Sequence, residues 1–220
     1  MNEIGKDVSK NYKIEFFNKK IQIKLGFISL LCLMILTNVL FAWALPSISV
    51  KCCEDFTLNY IHRMVKNFNL NLNVLNLILP FLLLQSDIIF LITATRFILI
   101  KYDKRFLYLL FSIWFLKFFT DLSFYHNNPY VDIELIRYSY YSITGQFNHR
   151  NSFISFPISI QFLCLLQLNT KIHNNLFIGF VIMNLFFTTL TFLIMRLYFA
   201  FQIIFSFLIV HYLNCLIYEY

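Results

Sequence analysis

Six apolar runs, each about as long as the hydrocarbon core of a bilayer is thick, leave this 220-residue chain little choice of fold. They are Leu25–Leu45, ended by Pro46; about Val74–Thr95, through Pro80; about Phe106–Tyr125; about Phe153–Leu168, the shortest; Leu176–Met195; and Leu197–Ile217. A backbone in lipid must satisfy its own hydrogen bonds, so runs of this length are expected to be helices. Composition agrees, with 59% apolar and 13% charged residues and a mean hydropathy of +0.68. A soluble domain has about 45–50% and about 25%. The expected fold class is all-α, a polytopic membrane bundle of six transmembrane helices. A basic leader over residues 1–24 precedes a single membrane domain over 25–217. Disorder, collagen and coiled coil are excluded, and five cysteines are too few for a disulfide scaffold. The 28 Phe and 13 Tyr, like the plentiful Asn, Ile and Lys, have AT-rich codons, so a biased genome explains them without an aromatic site.

Lysine and arginine beside the runs set the orientation. Lys6, Lys10, Lys13, Lys19, Lys20 and Lys24 in the leader, Arg96, Lys101, Lys104 and Arg105 in the second connection and Lys171 in the fourth make eleven on one side. Lys51, Arg63, Lys66, Arg137, Arg150 and Arg196 make six on the other. Both termini are therefore expected in the cytoplasm. The leader also holds Glu3, Asp7 and Glu15, unlike a cleaved signal peptide, so the first run is expected to stay in the mature protein. Because the basic residues lie in short clusters between apolar runs, the net charge of +7 indicates no nucleic-acid partner. The expected partners are membrane lipids, in the endomembrane system or plasma membrane rather than an organellar inner membrane.

Two long connections fall on the exoplasmic side. In the first, Asp55 is positioned to cap a helix in which Leu58, Ile61, Val65 and Phe68 share one face, a pattern suited to the headgroup layer. The second, about His126–Ser152, is polar and aromatic, and a loop of that length often carries function. No Asn-x-Ser/Thr sequon is present. The Gln85-Ser86-Asp87 patch of the second run is expected to face protein rather than lipid.

Chemistry-bearing residues converge near the exoplasmic leaflet. Lys117 and Asp121 are four apart, hence on one helix face and able to pair. Arg196 opens the sixth run, Ser155 and Pro157 lie at the start of the fourth, and His149 and Arg150 precede it. Cations beside an apolar cavity suit an anionic headgroup such as a phosphate, which Arg grips as a fork and Lys as a point charge. The plainer alternative is that Lys117 and Arg196 snorkel while Asp121 neutralises. Cys32, Cys164 and Cys215 are scattered, and adjacent Cys52-Cys53 would form only a strained bridge. The histidines, at 62, 126, 149, 173 and 211, lack metal-ligand spacing. No metal, cofactor, phosphate-binding glycine loop or serine-nucleophile elbow is expected.

Two segments in this layout carry a family resemblance. Ser152-Phe-Ile-Ser-Phe-Pro-Ile158 opens the fourth run, and Tyr198-Phe-Ala-Phe-Gln-Ile203 begins the sixth, which ends Val210-His-Tyr-Leu213. With the six-run order, over about residues 56–215, they resemble the sphingomyelin synthase-like branch of the lipid phosphate phosphatase (type 2 phosphatidic acid phosphatase) superfamily. That branch has cytoplasmic termini and an exoplasmic active site. Its fourth span opens on a Phe-Phe-Ser-Gly-His-Thr type motif; Ser155 matches and Pro157 replaces the histidine. Its sixth begins His-Tyr-Ser/Thr-x-Asp-Val; Tyr198 replaces that histidine and Gln202 the aspartate.

The resemblance implies a histidine nucleophile, a histidine acid/base and an orienting aspartate. Proline has no titratable nitrogen, tyrosine titrates near about pH 10, and glutamine carries no charge. Members of such a unit act together, so losing one costs roughly three to six orders of magnitude. The expectation is a lipid-binding or regulatory membrane protein with candidate headgroup ligands Lys117, Asp121, His149, Arg150, Ser155 and Arg196 and no family catalytic residue. Two alternatives stay open: a headgroup phosphotransferase rescued by His126 or His149, and a structural subunit of an organellar complex.

Overall fold

The computed structural model describes residues 17–36, 72–123, 126–127, 150–151, 154–171, 175–195, 198 and 200–219. Among them are six helices: α1 (17–36), α2 (Leu72–Ala94), α3 (Lys104–Ser123), α4 (Phe156–Lys171), α5 (Asn175–Ile194) and α6 (Ala200–Glu219). Three stretches, Ile78–Ile100, Asn175–Ile194 and Ala200–Tyr218, are long and apolar enough to cross a membrane, which fits a helical membrane protein. Phe156–Asn169 is a shorter apolar helix. The other two, α1 and α3, carry Lys19, Lys20 and Lys24, and Lys104, Arg105, Lys117 and Asp121 respectively.

α4 is short because of where it sits. It packs against α2, α3, α5 and α6, and residues 154–161 are all buried. A helix enclosed by protein needs neither the length nor the uniform greasiness of one facing lipid, and α4 keeps Ser159, Gln161 and Gln167 in the interior. It runs parallel to α6, tied by Ser155 N–H to Ser206 Oγ (2.8 Å) at one end and Gln167 Nε2 to Asn214 Oδ1 (2.7 Å) at the other.

α5 shows which solvent the bundle is built for. Its buried face is Val181, Asn184, Leu185, Thr188, Thr191, Phe192 and Ile194, while Phe180, Ile182, Met183, Phe186, Phe187 and Leu190 point outward. Polar residues inside and large apolar residues outside invert the amphipathic order of a water-soluble helix. They match a lipid-facing surface and hydrogen-bonding side chains between helices. Ser86 and Asp87 of α2 are buried as their sequence context implied; Gln85 is half-buried.

Helix ends depart from the sequence expectation. Residues 17–24, at the end of the expected leader, are helical, and α2 runs past Thr95 into a π-helical turn, Thr95–Ile100. That turn closes with Lys101 N–H on Arg96 O and Asp103 N–H on Phe97 O. Tyr102 between them has φ 54°, a left-handed position where glycine is usual. Lys20 and Lys24 hold its ring, their Nζ atoms 4.7 and 5.9 Å from its centroid. Asp103 then caps α3, its Oδ1 accepting from Arg105 N–H (3.0 Å) and Phe106 N–H (3.4 Å) while Oδ2 accepts from Tyr218 OH (3.2 Å). The start of α1, the α2–α3 turn and the end of α6 therefore share one end of the bundle. Asp103→Ala is expected to cost about 1–2 kcal/mol, read as a lower melting temperature in detergent. Asp103→Asn keeps most of the cap, and Tyr218→Phe isolates the share of the α6 tie.

A two-residue antiparallel ladder at the other end closes the base of the long loop. His126–Asn127 pairs with Arg150–Asn151, in register His126↔Asn151 and Asn127↔Arg150. The connection after the first apolar run with its Asp55–Phe68 pattern, Cys52-Cys53 and the interior of the second long loop lie outside the described residues.

Candidate headgroup site at the α3–α4–α6 mouth

Three elements meet where α4 begins. Ser155 stands just before the first residue of α4, and its carbonyl accepts from both Ser159 N–H and Ser159 Oγ–H (2.9 Å each). Its N–H is held by Ser206 Oγ, which also lies 2.7 Å from Gln202 O and 3.3 Å from Ser155 O. One hydroxyl thus fastens the start of α4 to the second turn of α6. The Ser155 hydroxyl itself is buried and has no hydrogen-bond partner.

Phe156 presents its ring to α3, where Lys117 Nζ lies 5.9 Å from the ring centroid. Lys117 is only 5% exposed. An ammonium at the limit of cation–π range and largely shielded is held differently from a snorkelling lysine, whose head stays in water. Thr120, one turn on and also buried, is turned back on its own helix, donating to Lys117 O (2.9 Å). Asp121 follows within α3, but its side chain lies outside the described residues, so its pairing with Lys117 does too.

The three positions compared with the family motifs are all buried: Pro157 in the first turn of α4, where a missing N–H is tolerated, Tyr198 before α6 and Gln202 within it. Tyr198 is packed as an aromatic, its ring 5.2 Å from that of Phe192, in an apolar cluster with Leu79, Ile158, Met195 and Ile203. Ile158, next to Pro157, and Ile203, next to Gln202, belong to that cluster. His149 and Arg196 lie outside the described residues, and Arg150 is described only through its backbone pairing with Asn127.

This arrangement offers a shielded cation and an unpartnered hydroxyl. The one histidine whose side chain is described, His211, lies exposed towards the far end of α6, its Nε2 3.8 Å from Cys215 Sγ. No group of three or more His, Cys, Asp or Glu side chains placed to hold a metal ion occurs among the described residues.

Sequence reasoning singled out Lys117, Ser155, Tyr198 and Gln202 but not Ser206 or Phe156, which the structure packs beside Ser155 and Lys117. Ser206 carries a weak sequence signal, lying four residues after Gln202 and so on the same face of α6. Neither a protein-family model, nor a curated protein, nor a solved structure matches the chain.

Proposed function

We infer that this is a six-span membrane protein with both ends in the cytoplasm, whose outward mouth binds an anionic lipid headgroup without turning it over. The observation that carries the reading is the pair just described: a lysine shielded beside Phe156, and a buried serine hydroxyl awaiting a partner in the residue before it. A phosphate would accept from the second and lie within the field of the first. Support for the orientation comes from Lys20, Lys24 and Arg105, gathered around Tyr102 and Tyr218 at the opposite end, as cytoplasmic cations are. The reading is in keeping with the resemblance to the sphingomyelin synthase-like branch, with Pro157, Tyr198 and Gln202 in place of the reacting groups.

Lipid retained by the full chain purified in mild detergent tests this. Mass spectrometry is expected to find a phospholipid or sphingolipid phosphate near one per chain, reduced about tenfold in Lys117→Met, the loss of one charge-assisted contact. Lys104→Met, at the other end, should retain the wild-type amount. Turnover of labelled ceramide with phosphatidylcholine, abolished by His149→Ala, would replace this reading with the active enzyme. Recovery only within a larger assembly, without bound lipid, would replace it with the structural subunit.

A further inference from the structure

At the end of the bundle opposite the mouth, cations from separate stretches of the chain collect around a group of aromatic rings. Lys20 and Lys24 are four apart on α1, hence on one face, and both Nζ atoms lie within 6 Å of the Tyr102 centroid, at 4.7 and 5.9 Å. Ile23 and Phe27 anchor that helix in the same core cluster as Phe97, Ile98 and Phe106 of the α2–α3 corner. Lys101, just before Tyr102, has its Nζ 5.3 Å from the Phe97 centroid, and Phe97 packs on Phe106 with ring centroids 5.5 Å apart. Arg105, three residues after Tyr102, has its Cζ 5.7 Å from the Tyr218 centroid.

The charge at this end is not balanced by the side chains described there. Rings attract cations but leave their charge whole, and like charges four apart on a helix repel. Asp103 is a single carboxylate against four cations, and it already accepts from Arg105 N–H, Phe106 N–H and Tyr218 OH. The side chain of Glu219 lies outside the described residues. Lys24, Lys101 and Arg105 are exposed, so a partner can reach them from outside the bundle. Tyr102 adds a second sign of use. At φ 54° it carries a backbone strain that glycine would not, and what glycine would lack is the platform for the two α1 lysines.

We propose that this end binds the headgroup of a polyphosphorylated lipid, with Lys24, Lys101 and Arg105 as its contacts and Tyr102 as a positioning residue. A phosphate monoester carries about −1.5 to −2 near neutral pH, so a headgroup bearing two of them supplies in one compact group the negative charge that the cluster lacks. A headgroup of single net charge does not. Arg grips phosphate as a planar fork and Lys as a point charge, and basic clusters just inside a span are the usual receivers of such lipids. The inference rests on the proposed orientation for the leaflet that supplies the lipid, and not on the headgroup bound at the mouth.

The test titrates the full chain, in phosphatidylcholine nanodiscs, with fluorescent short-chain phosphatidylinositol bisphosphate and, separately, phosphatidylserine. Both faces of a nanodisc are open to the probe, so a wrong orientation does not mask the site. The bisphosphate is expected to bind about tenfold more tightly than the serine lipid, and less tightly as salt is raised. Lys24→Gln and Lys101→Gln are surface changes that leave the fold intact, and each should weaken binding about fivefold. Tyr102→Gly relaxes the backbone and keeps every charge, yet should weaken binding by a similar factor because the α1 lysines lose their platform; if that variant does not fold, the two lysine variants decide. Equal affinity for the two lipids, or unchanged bisphosphate binding in a folded Tyr102→Gly or in both lysine variants, would reduce the cluster to diffuse surface charge and overturn the proposal. Loss of binding in Lys117→Met but not in Lys24→Gln would move the lipid to the mouth and overturn it too. Free inositol trisphosphate that binds as tightly as the lipid would give the cluster to a soluble ligand instead.

Discussion

Phe186→Arg is expected to block stable membrane insertion of the chain. Phe186 lies near the middle of α5 and is 59% exposed, on the face opposite Asn184 and Thr188. If that face meets hydrocarbon, arginine at the centre of a span costs about 2.5–3.5 kcal/mol on insertion scales. Loss of the apolar ring adds little, since lipid tails would have solvated either side. A surface change in water would cost within about 0.5 kcal/mol and improve solubility. Leu176→Arg, at the start of the same helix, should be tolerated, because a long cationic side chain there reaches the interface. The fraction of chain resisting carbonate extraction from microsomes checks both variants. A soluble, folded Phe186→Arg protein would show that the outward phenylalanines face water or a protein partner.

The spans were readable because greasiness averages over a window: α2, α5 and α6 stand out from apolar content alone. Their inner faces were not, since Asn184, Thr188 and Thr191 follow helical spacing but are diluted by the phenylalanines around them. In a lipid-facing helix it is the minority polar residues, not the apolar stripe, that mark the interior, so a search for an apolar stripe selects the wrong face. Helix ends were harder still. After the π-turn at Thr95–Ile100, the left-handed Tyr102 lies against Lys20 and Lys24 and the next residue, Asp103, bonds Tyr218, all distant in sequence. The mouth was half legible. Lys117 and Ser155 declare themselves as polar groups near a span end, but their surroundings come from Phe156 packing on α3 and from Ser206, 51 residues beyond Ser155. No local pattern encodes a partnership of that separation.

Three serines at the mouth should separate stability from ligand binding. Ser206→Ala removes the acceptor of Ser155 N–H and leaves that buried donor unmet, which is expected to cost about 1–3 kcal/mol. For a chain of this size that lowers the melting temperature by roughly 3–10 °C. Ser206→Thr keeps the hydroxyl and should recover most of it. Ser159→Ala should cost less than about 1 kcal/mol, because Ser155 O still accepts the backbone N–H of Ser159 when the side chain is gone. Ser155→Ala has the opposite sign. Its hydroxyl is buried without a partner, so deleting it removes an unmet polar group and should leave the ligand-free protein as stable or more so. If a phosphate accepts from that hydroxyl, the same variant must retain less lipid, and lipid added back must stabilise it less than wild type. A uniform loss of stability across all three serines, with lipid retention unchanged in Ser155→Ala, would leave the mouth a helix contact and nothing more. The Ser155 variant is decisive because packing and binding predict opposite results from one missing oxygen.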